Sequence, residues 1–509
     1  MKIALLVIDM QNICMGKNHA KIFQYDQIGL LKRINKRISE FEPKNVYYIK
    51  NVMKKNNEKR SSFSGKLGFV LSAAGASVGH GNIWRFPYLA AKYGGGIFLL
   101  IYIVLALTFG YTMIVAETSI GRMTKKSPVG AFKSFSNSKF VSLGGWINAI
   151  IPILIVPYYS VIGGWVIKYL VEYIIGDSKL LAGDDYFTGF ISGGFSAEIC
   201  FIIFTFITLA IIYAGVRSGI ERVSKFMMPI LVVLSLIIMI YSITRPGAMA
   251  GVKYFLVPNV KNFSWMTVVA AMGQMFYSLS IAMGILITFG SYMKKDLSIE
   301  SSTKNVEIFD TAIAIMAGLM IIPAVFAFSG GDPDALKAGP SLMFITIPKM
   351  FESMGLSTVV GILFFTLVLF AALTSSIALT ESAVSTFEDE FGWGRKKSTI
   401  ILGGIMIVLG SLSSFGYGPL GSIKIIGMQF LDFFDFLTNS VMMPIAAFAT
   451  CILVSKIIGL KKIEEEVLHG EGTFRRKKIF NFMIKYLCPL FAAIILLSSI
   501  ANAFGWITI

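Results

Sequence analysis

Uninterrupted apolar runs of about twenty residues constrain this chain more than anything else in it. Ile97–Ala116 and Tyr486–Phe504 are two of them. A helix of that length rises about 30 Å, the thickness of a bilayer's hydrocarbon core. Charged residues make up only 15% of the 509, against roughly 25% in soluble chains, and the mean hydropathy is +0.71. The chain therefore reads as an all-α polytopic membrane protein. Apolar spans fall near 66–90, 96–121, 142–175, 194–214, 220–244, 265–292, 306–330, 355–386, 398–414, 425–457 and 479–504. That pattern predicts eleven spans.

The net charge of +17 does not mark a nucleic-acid binder, because no stretch interleaves basic and aromatic residues on a soluble surface. Lys and Arg gather instead in alternate loops: Arg122–Lys139, Gly215–Lys225, Tyr292–Lys304, Glu388–Lys397 and Lys456–Lys478. Each follows an even-numbered span, so the positive-inside rule predicts an inner-membrane protein with a cytoplasmic N-terminus and an external C-terminus. The four cysteines (Cys14, Cys200, Cys451, Cys488) and three histidines (His19, His80, His469) are dispersed. They suggest no disulfide or metal framework. No P-loop is present, which counts against an ATP-driven pump.

Residues 1–52 differ in character. Lys2–Met10 and Asn45–Ile49 read as parallel strands around a helical stretch, Gln27–Phe41, giving a short βαβ fragment too small to bury its own core. The run Ile8-Asp9-Met10-Gln11-Asn12 resembles the first strand of isochorismatase-like cysteine hydrolases. In that family the Asp acts with a Lys and a nucleophilic Cys further along. Membrane helix begins here before either, and Cys14 is not that nucleophile. The segment reads as a truncated relic, a fusion, or a mistaken start upstream of Met53. Asp9 interrupts its apolar run and no small-residue cleavage site follows, so it is not a signal peptide. Residues 53–65 are expected to be a cytoplasmic linker, and 66–509 the membrane domain.

Spans one and six share a defect: Ala74-Gly75-Ala76-Ser77-Val78-Gly79-His80-Gly81-Asn82 and Ser278-Leu279-Ser280-Ile281-Ala282-Met283-Gly284. Small residues at mid-depth allow either close helix packing or unwound backbone. Unwound backbone at that depth is tolerated only where it lines a cavity or binds something. Two such interruptions five spans apart point to a transporter's binding site.

Here a family resemblance becomes explicit. Gly65–Arg122, with its NIWRFPY and GGG elements, resembles the first two spans of the neurotransmitter:sodium symporter family. Gly273-Gln274, Leu373-Thr374-Ser375-Ser376 and Asp432–Phe436 resemble its sixth, eighth and tenth spans. The resemblance covers 60–509 and implies a 5+5 inverted-repeat fold with broken helices 1 and 6. It also implies alternating-access symport of an amino acid with sodium, with no enzymatic activity and no cofactor beyond the coupling ions. A channel or sensor on the same scaffold, and a bifunctional protein using residues 1–52, are the other readings.

The resemblance assigns one sodium site to Ser77, Asn82, Ser278 and Asp310, completed by the substrate's carboxylate. It assigns a second to Gly75, Val78, Ala371, Thr374 and Ser375. Taken alone, Thr374 and Ser375 could equally be back-bonding to their own helix. Asp310 stands where many relatives have Asn. Tyr102, Gln274 and Ser278 match the family's chloride ligands, while Ala314 replaces a serine. Chloride independence is expected, with Asp310 supplying the negative charge. Gly79 replaces the Asp of monoamine carriers, which favours a substrate that brings its own carboxylate. The substrate set is Gly79, His80, Gly81, Ile155, Tyr159, Tyr277, Ser280, Met283, Ser376 and Leu379, with Tyr159 holding the carboxylate. Met283 suggests an adaptable apolar pocket for a hydrophobic or aromatic amino acid. His80, often Leu in relatives, reads as a packed or rim residue rather than a proton carrier. Arg85 and Asp435 form the expected outer gate. Arg60 and Asp389, supported by Phe63, Ser291 and Tyr292, form the inner one. Glu117 and Glu381 lie inside apolar spans, so partners are expected for both.

Overall fold

The computed structural model describes residues 61–330, 340–470, 472–503 and 506, and two strands near the N-terminus. The chain divides into two units, Met1–Arg60 and Ser61–Ile509. In the first, β1 (Leu5–Ile8) pairs in parallel with β2 (Val46–Ile49), Leu5 opposite Val46. The expected helix over 27–41, the remainder of the Asp9 motif, Cys14, His19 and Arg60 lie outside the described residues.

The second unit is built from helices, as its apolar runs dictate. It opens with α1 (Lys66–Ser77) and α2 (Phe86–Lys92). Four long helices follow: α3 (Gly96–Thr124), α4 (Lys139–Ile175), α5 (Phe195–Tyr213) and α6 (Val216–Ile243). Then come α7 (Trp265–Ser278) and α8 (Ile285–Tyr292). Five more long helices complete the unit: α9 (Ile299–Ser329), α10 (Ser357–Phe391), α11 (Arg395–Phe415), α12 (Phe430–Ile458) and α13 (Lys477–Asn502). Among the described residues nine helices, α3–α6 and α9–α13, are long and apolar enough to cross a membrane. The remaining two apolar stretches, 66–90 and 265–292, are each divided between two shorter helices.

Local chemistry sets the ends. The Ser264 hydroxyl accepts from the Thr267 N–H and the Thr267 hydroxyl from the Ser264 N–H, both at 3.2 Å, which starts α7 with a capping box. The Ser298 hydroxyl accepts from the Ser301 N–H at 3.0 Å, so α9 begins well before the apolar pattern at 306. Large apolar side chains stay exposed along α5, α6 and α11, among them Phe206, Ile240, Ile400 and Val408. In water that surface would be costly, whereas lipid accepts it. Where α3 crosses α8, glycine is required on both helices. A Cβ on Gly121 would lie 1.9 Å from the Ile287 carbonyl oxygen, and one on Gly290 2.5 Å from that of Thr118. Small residues let the backbones approach this closely. At the centre, α10 packs against α1, α4 and α6, bringing Ala371–Ser376 to the end of α1.

Candidate functional site

The site begins where α1 and α7 stop. After Ser77 the chain runs extended through Val78 and re-enters helix in a wide turn over Gly81–Arg85. After Ser278 it passes through Ser280 (φ 52°), Ala282 (φ 59°) and Gly284 (φ 69°) before α8. The left-handed region costs roughly 1–2 kcal/mol for a residue with a Cβ, so Ser280 and Ala282 must be held there by their surroundings. Both breaks are buried, and buried backbone needs partners. Side chains supply them. Ser280 donates to the Ala76 carbonyl at 2.9 Å and Gln274 Nε2 to that of Gly81 at 2.9 Å. Ser375 Oγ lies 3.1 Å from the Val78 carbonyl oxygen and 3.3 Å from that of Gly75. The Ala282 N–H donates to Glu117 Oε1 at 2.8 Å, which identifies the partner of that intramembrane carboxylate.

Two oxygen clusters flank the breaks. In the first, Asp310 accepts from Asn82 Nδ2 at 2.8 Å, from Ser278 Oγ at 3.0 Å and from the Tyr102 hydroxyl at 3.2 Å. All four side chains are buried. The Ser77 hydroxyl is bonded to the Ala73 carbonyl at 3.1 Å, which leaves the main chain of Ser77 as its contribution here. In the second, the Ser375 hydroxyl meets the Gly75 and Val78 carbonyls. Thr374 Oγ1 lies 3.1 Å from the Ala371 carbonyl oxygen, within its own helix. The two clusters thus differ in kind: one holds a carboxylate, the other only neutral oxygens.

At the breaks lies a cavity, lined by both of them (Ala76, Ser77, Gly79, His80, Gly81, Ser280, Met283) and by Ile155, Tyr159, Tyr277, Ser375 and Leu379. Nine of the ten residues assigned to the substrate line it. Ser376 does not: its hydroxyl sits 3.2 Å from that of Thr208 on α5. One residue advances a helix by about 100°, so Ser375 faces the cavity and Ser376 faces away. Gly79 leaves space that a side chain would crowd. A Cβ there would lie 2.7 Å from Ser375 Oγ and 2.8 Å from the Tyr159 hydroxyl oxygen.

The expected outer pair is not in contact. Arg85 lies over the Tyr277 ring, 5.3 Å from its centroid, while Asp435 accepts from Asn439 Nδ2 at 2.6 Å and from the Tyr158 hydroxyl at 3.2 Å. On the other side, the Phe63 N–H donates to the Tyr292 carbonyl at 3.2 Å, and its ring packs edge-on against Phe289 and Tyr292. Ser291 donates to the Thr288 carbonyl at 2.5 Å. Asp389 accepts from the Ser127 N–H at 2.6 Å. Glu381 accepts from the Tyr292 hydroxyl at 2.6 Å and forms an ion pair with Arg395 at 2.5 Å. Arg395 went unassigned in the sequence, although the buried Glu381 called for a cation. Trp84, stacked on His80 with centroids 4.8 Å apart, was also missed; its place in the NIWRFPY element was the available signal.

The sodium:neurotransmitter symporter family profile matches residues 60–178 and 191–505. An uncharacterized sodium-dependent transporter of Bacillus subtilis, YhdH, is 33% identical, over 87% of this chain and 99% of its own length. The sodium- and chloride-dependent taurine transporter of Rattus norvegicus is 25% identical, over 79% of this chain and 72% of its own. The crystal structure of MhsT in complex with L-phenylalanine superposes with a TM-score of 0.78 at 35% identity, covering 86% of this chain and all of MhsT. The chain belongs to the sodium:neurotransmitter symporter family and is a multi-pass membrane symporter, not an enzyme.

Proposed function

We propose that this protein imports an amino acid together with sodium by alternating access. The divided stretches 66–90 and 265–292 would each count as one span. That makes eleven, with the first ten forming two inverted five-span halves. One observation carries the reading: two helix breaks open onto a single cavity, with two oxygen clusters at those breaks. Broken helices at a repeat interface offer N–H groups to an anionic head and carbonyls to a small cation. Asn82, Ser278, Asp310 and the Ser77 carbonyl would hold one sodium together with the substrate's carboxylate. Gly75, Val78, Ala371, Thr374 and Ser375 would hold the other. Sharing a ligand in this way makes ion and substrate affinities reciprocal.

The cavity's apolar wall (Ile155, Met283, Leu379) suits a hydrophobic or aromatic side chain, and a similar protein, MhsT, has been solved with L-phenylalanine. Tyr159 would hold the carboxylate. Chloride is not needed in this reading. The Tyr102 and Ser278 hydroxyls, which would serve an anion, already donate to the Asp310 carboxylate. The Arg85–Asp435 pair would close over the site from outside, and the inner side would be sealed around Phe63, Tyr292 and Asp389 together with Arg60. The basic loops would place the N-terminus in the cytoplasm. Uptake of radiolabelled phenylalanine or leucine into proteoliposomes tests this. Saturable uptake driven by an inward sodium gradient is expected, and large non-saturating conductance would contradict it.

A further inference from the structure

His80 is wholly buried in the break after α1 and lines the cavity. Its imidazole is sandwiched: Trp84 covers one side at 4.8 Å (14° between planes), and Tyr159 stacks on it at 4.5 Å (24°). The flat faces are therefore taken, and only the ring edge is left for other contacts. Both ring nitrogens lie on that edge, and neither has a hydrogen-bond partner. A residue serving only to fill space would leave no such polar atoms behind. Leucine would pack here without them, since burying an unpaired polar group is unfavourable.

Its position says what the edge would meet. The His80 main-chain N–H lies 3.4 Å from the Tyr159 hydroxyl oxygen, and the two rings are in contact. His80 thus lines the cavity directly beside Tyr159. A carboxylate presents about four lone-pair sites, more than one phenol can fill.

We propose that the imidazole of His80 is a second side-chain donor to the carboxylate of the amino-acid substrate, completing a clamp with Tyr159. The inference rests on the carboxylate-binding role given to Tyr159 above and adds a second substrate-binding side chain to it. A neutral imidazole donates one N–H, and a hydrogen bond to a carboxylate inside a dry cavity is stronger than one between neutral groups. Because every amino acid carries that group, the contribution is independent of the side chain.

Equilibrium binding of phenylalanine, leucine and glutamine to the purified full chain in sodium tests this. In His80→Leu the affinity for all three is expected to fall by a similar factor, about tenfold or more. In His80→Gln, which keeps an N–H donor, it is expected to stay within about threefold of the parent protein. Thermal stabilisation by sodium alone reports folding. If His80→Leu lacks it, His80→Met serves as the donor-free variant. Unchanged or tighter binding without the donor, a loss confined to one kind of side chain, or Gln behaving like Leu would each overturn the proposal. Absence of sodium-dependent amino-acid binding by the unaltered protein would defeat the parent reading instead.

Discussion

The two oxygen clusters beside the cavity sit a few residues apart on the same broken helix, yet they are built on opposite principles. Around Asp310 a formal negative charge is buried in the membrane unit and stabilised by Asn82, Ser278 and Tyr102. Around Ser375 there is no charge, only hydroxyls and the carbonyls that the break leaves free. A buried carboxylate without partners is expensive. In the proposed function it would be kept because a sodium ion beside a zwitterionic substrate would otherwise leave a net positive charge buried. The neutral cluster needs no such balance and depends instead on the helix staying unwound. In the proposed function, charge would thus serve coupling in one place, and backbone geometry would serve ion binding in the other.

The sharpest way to separate the two is to remove each in turn. Asp310→Ala should abolish measurable sodium-coupled uptake, a loss of about 100-fold or more, because the cation loses its only charged side-chain ligand. Residual coupled transport within tenfold of the parent would break the comparison. Gly79→Ala comes next. Its Cβ would press on Ser375 and Tyr159 together, so amino-acid affinity should fall by about 10- to 100-fold, as overpacking by a methyl group implies. Isothermal titration measures that loss directly. Ser375→Ala removes one hydroxyl from the neutral cluster and should weaken apparent sodium affinity by about fivefold to tenfold. At saturating sodium its amino-acid affinity should stay within about twofold. A larger change there would show that the clusters are not separable. The smallest effect is expected from the medium: replacing chloride with gluconate should leave initial uptake rates within experimental scatter. Abolished transport would mean that Asp310 does not supply the needed charge.

Much of this was legible in the residues. Run length alone located the long helices, because a bilayer fixes how many apolar residues a spanning segment needs. The interruptions were visible as Gly and Ser where Leu or Ile would be expected. Charge-rich structure was harder to see. Leu460–Leu468 forms a helix that the lysines and glutamates of its stretch presented only as a basic loop. Its anchor, the ion pair of Arg122 with Glu466 at 2.6 Å, joins residues 344 positions apart. No periodicity marks such a pair. Within the site, resemblance named residue types, but helix rotation decided which of the adjacent Ser375 and Ser376 faces the cavity. Sequence likewise could not show that Arg85 rests on Tyr277 instead of reaching Asp435, since that depends on how the helices carrying them pack. The environment of His80 came only from the fold, which stacks Trp84 and Tyr159 on its ring.

The central claim is that cation and amino acid share ligands between two broken helices, and reciprocal binding tests it most directly. Phenylalanine affinity should be measured across a sodium series at constant ionic strength, and sodium affinity across a phenylalanine series. Each ligand is expected to tighten the other by the same factor, about 5- to 150-fold, and Asp310→Ala is expected to erase the effect. Equal phenylalanine affinity in sodium and in potassium would contradict the account.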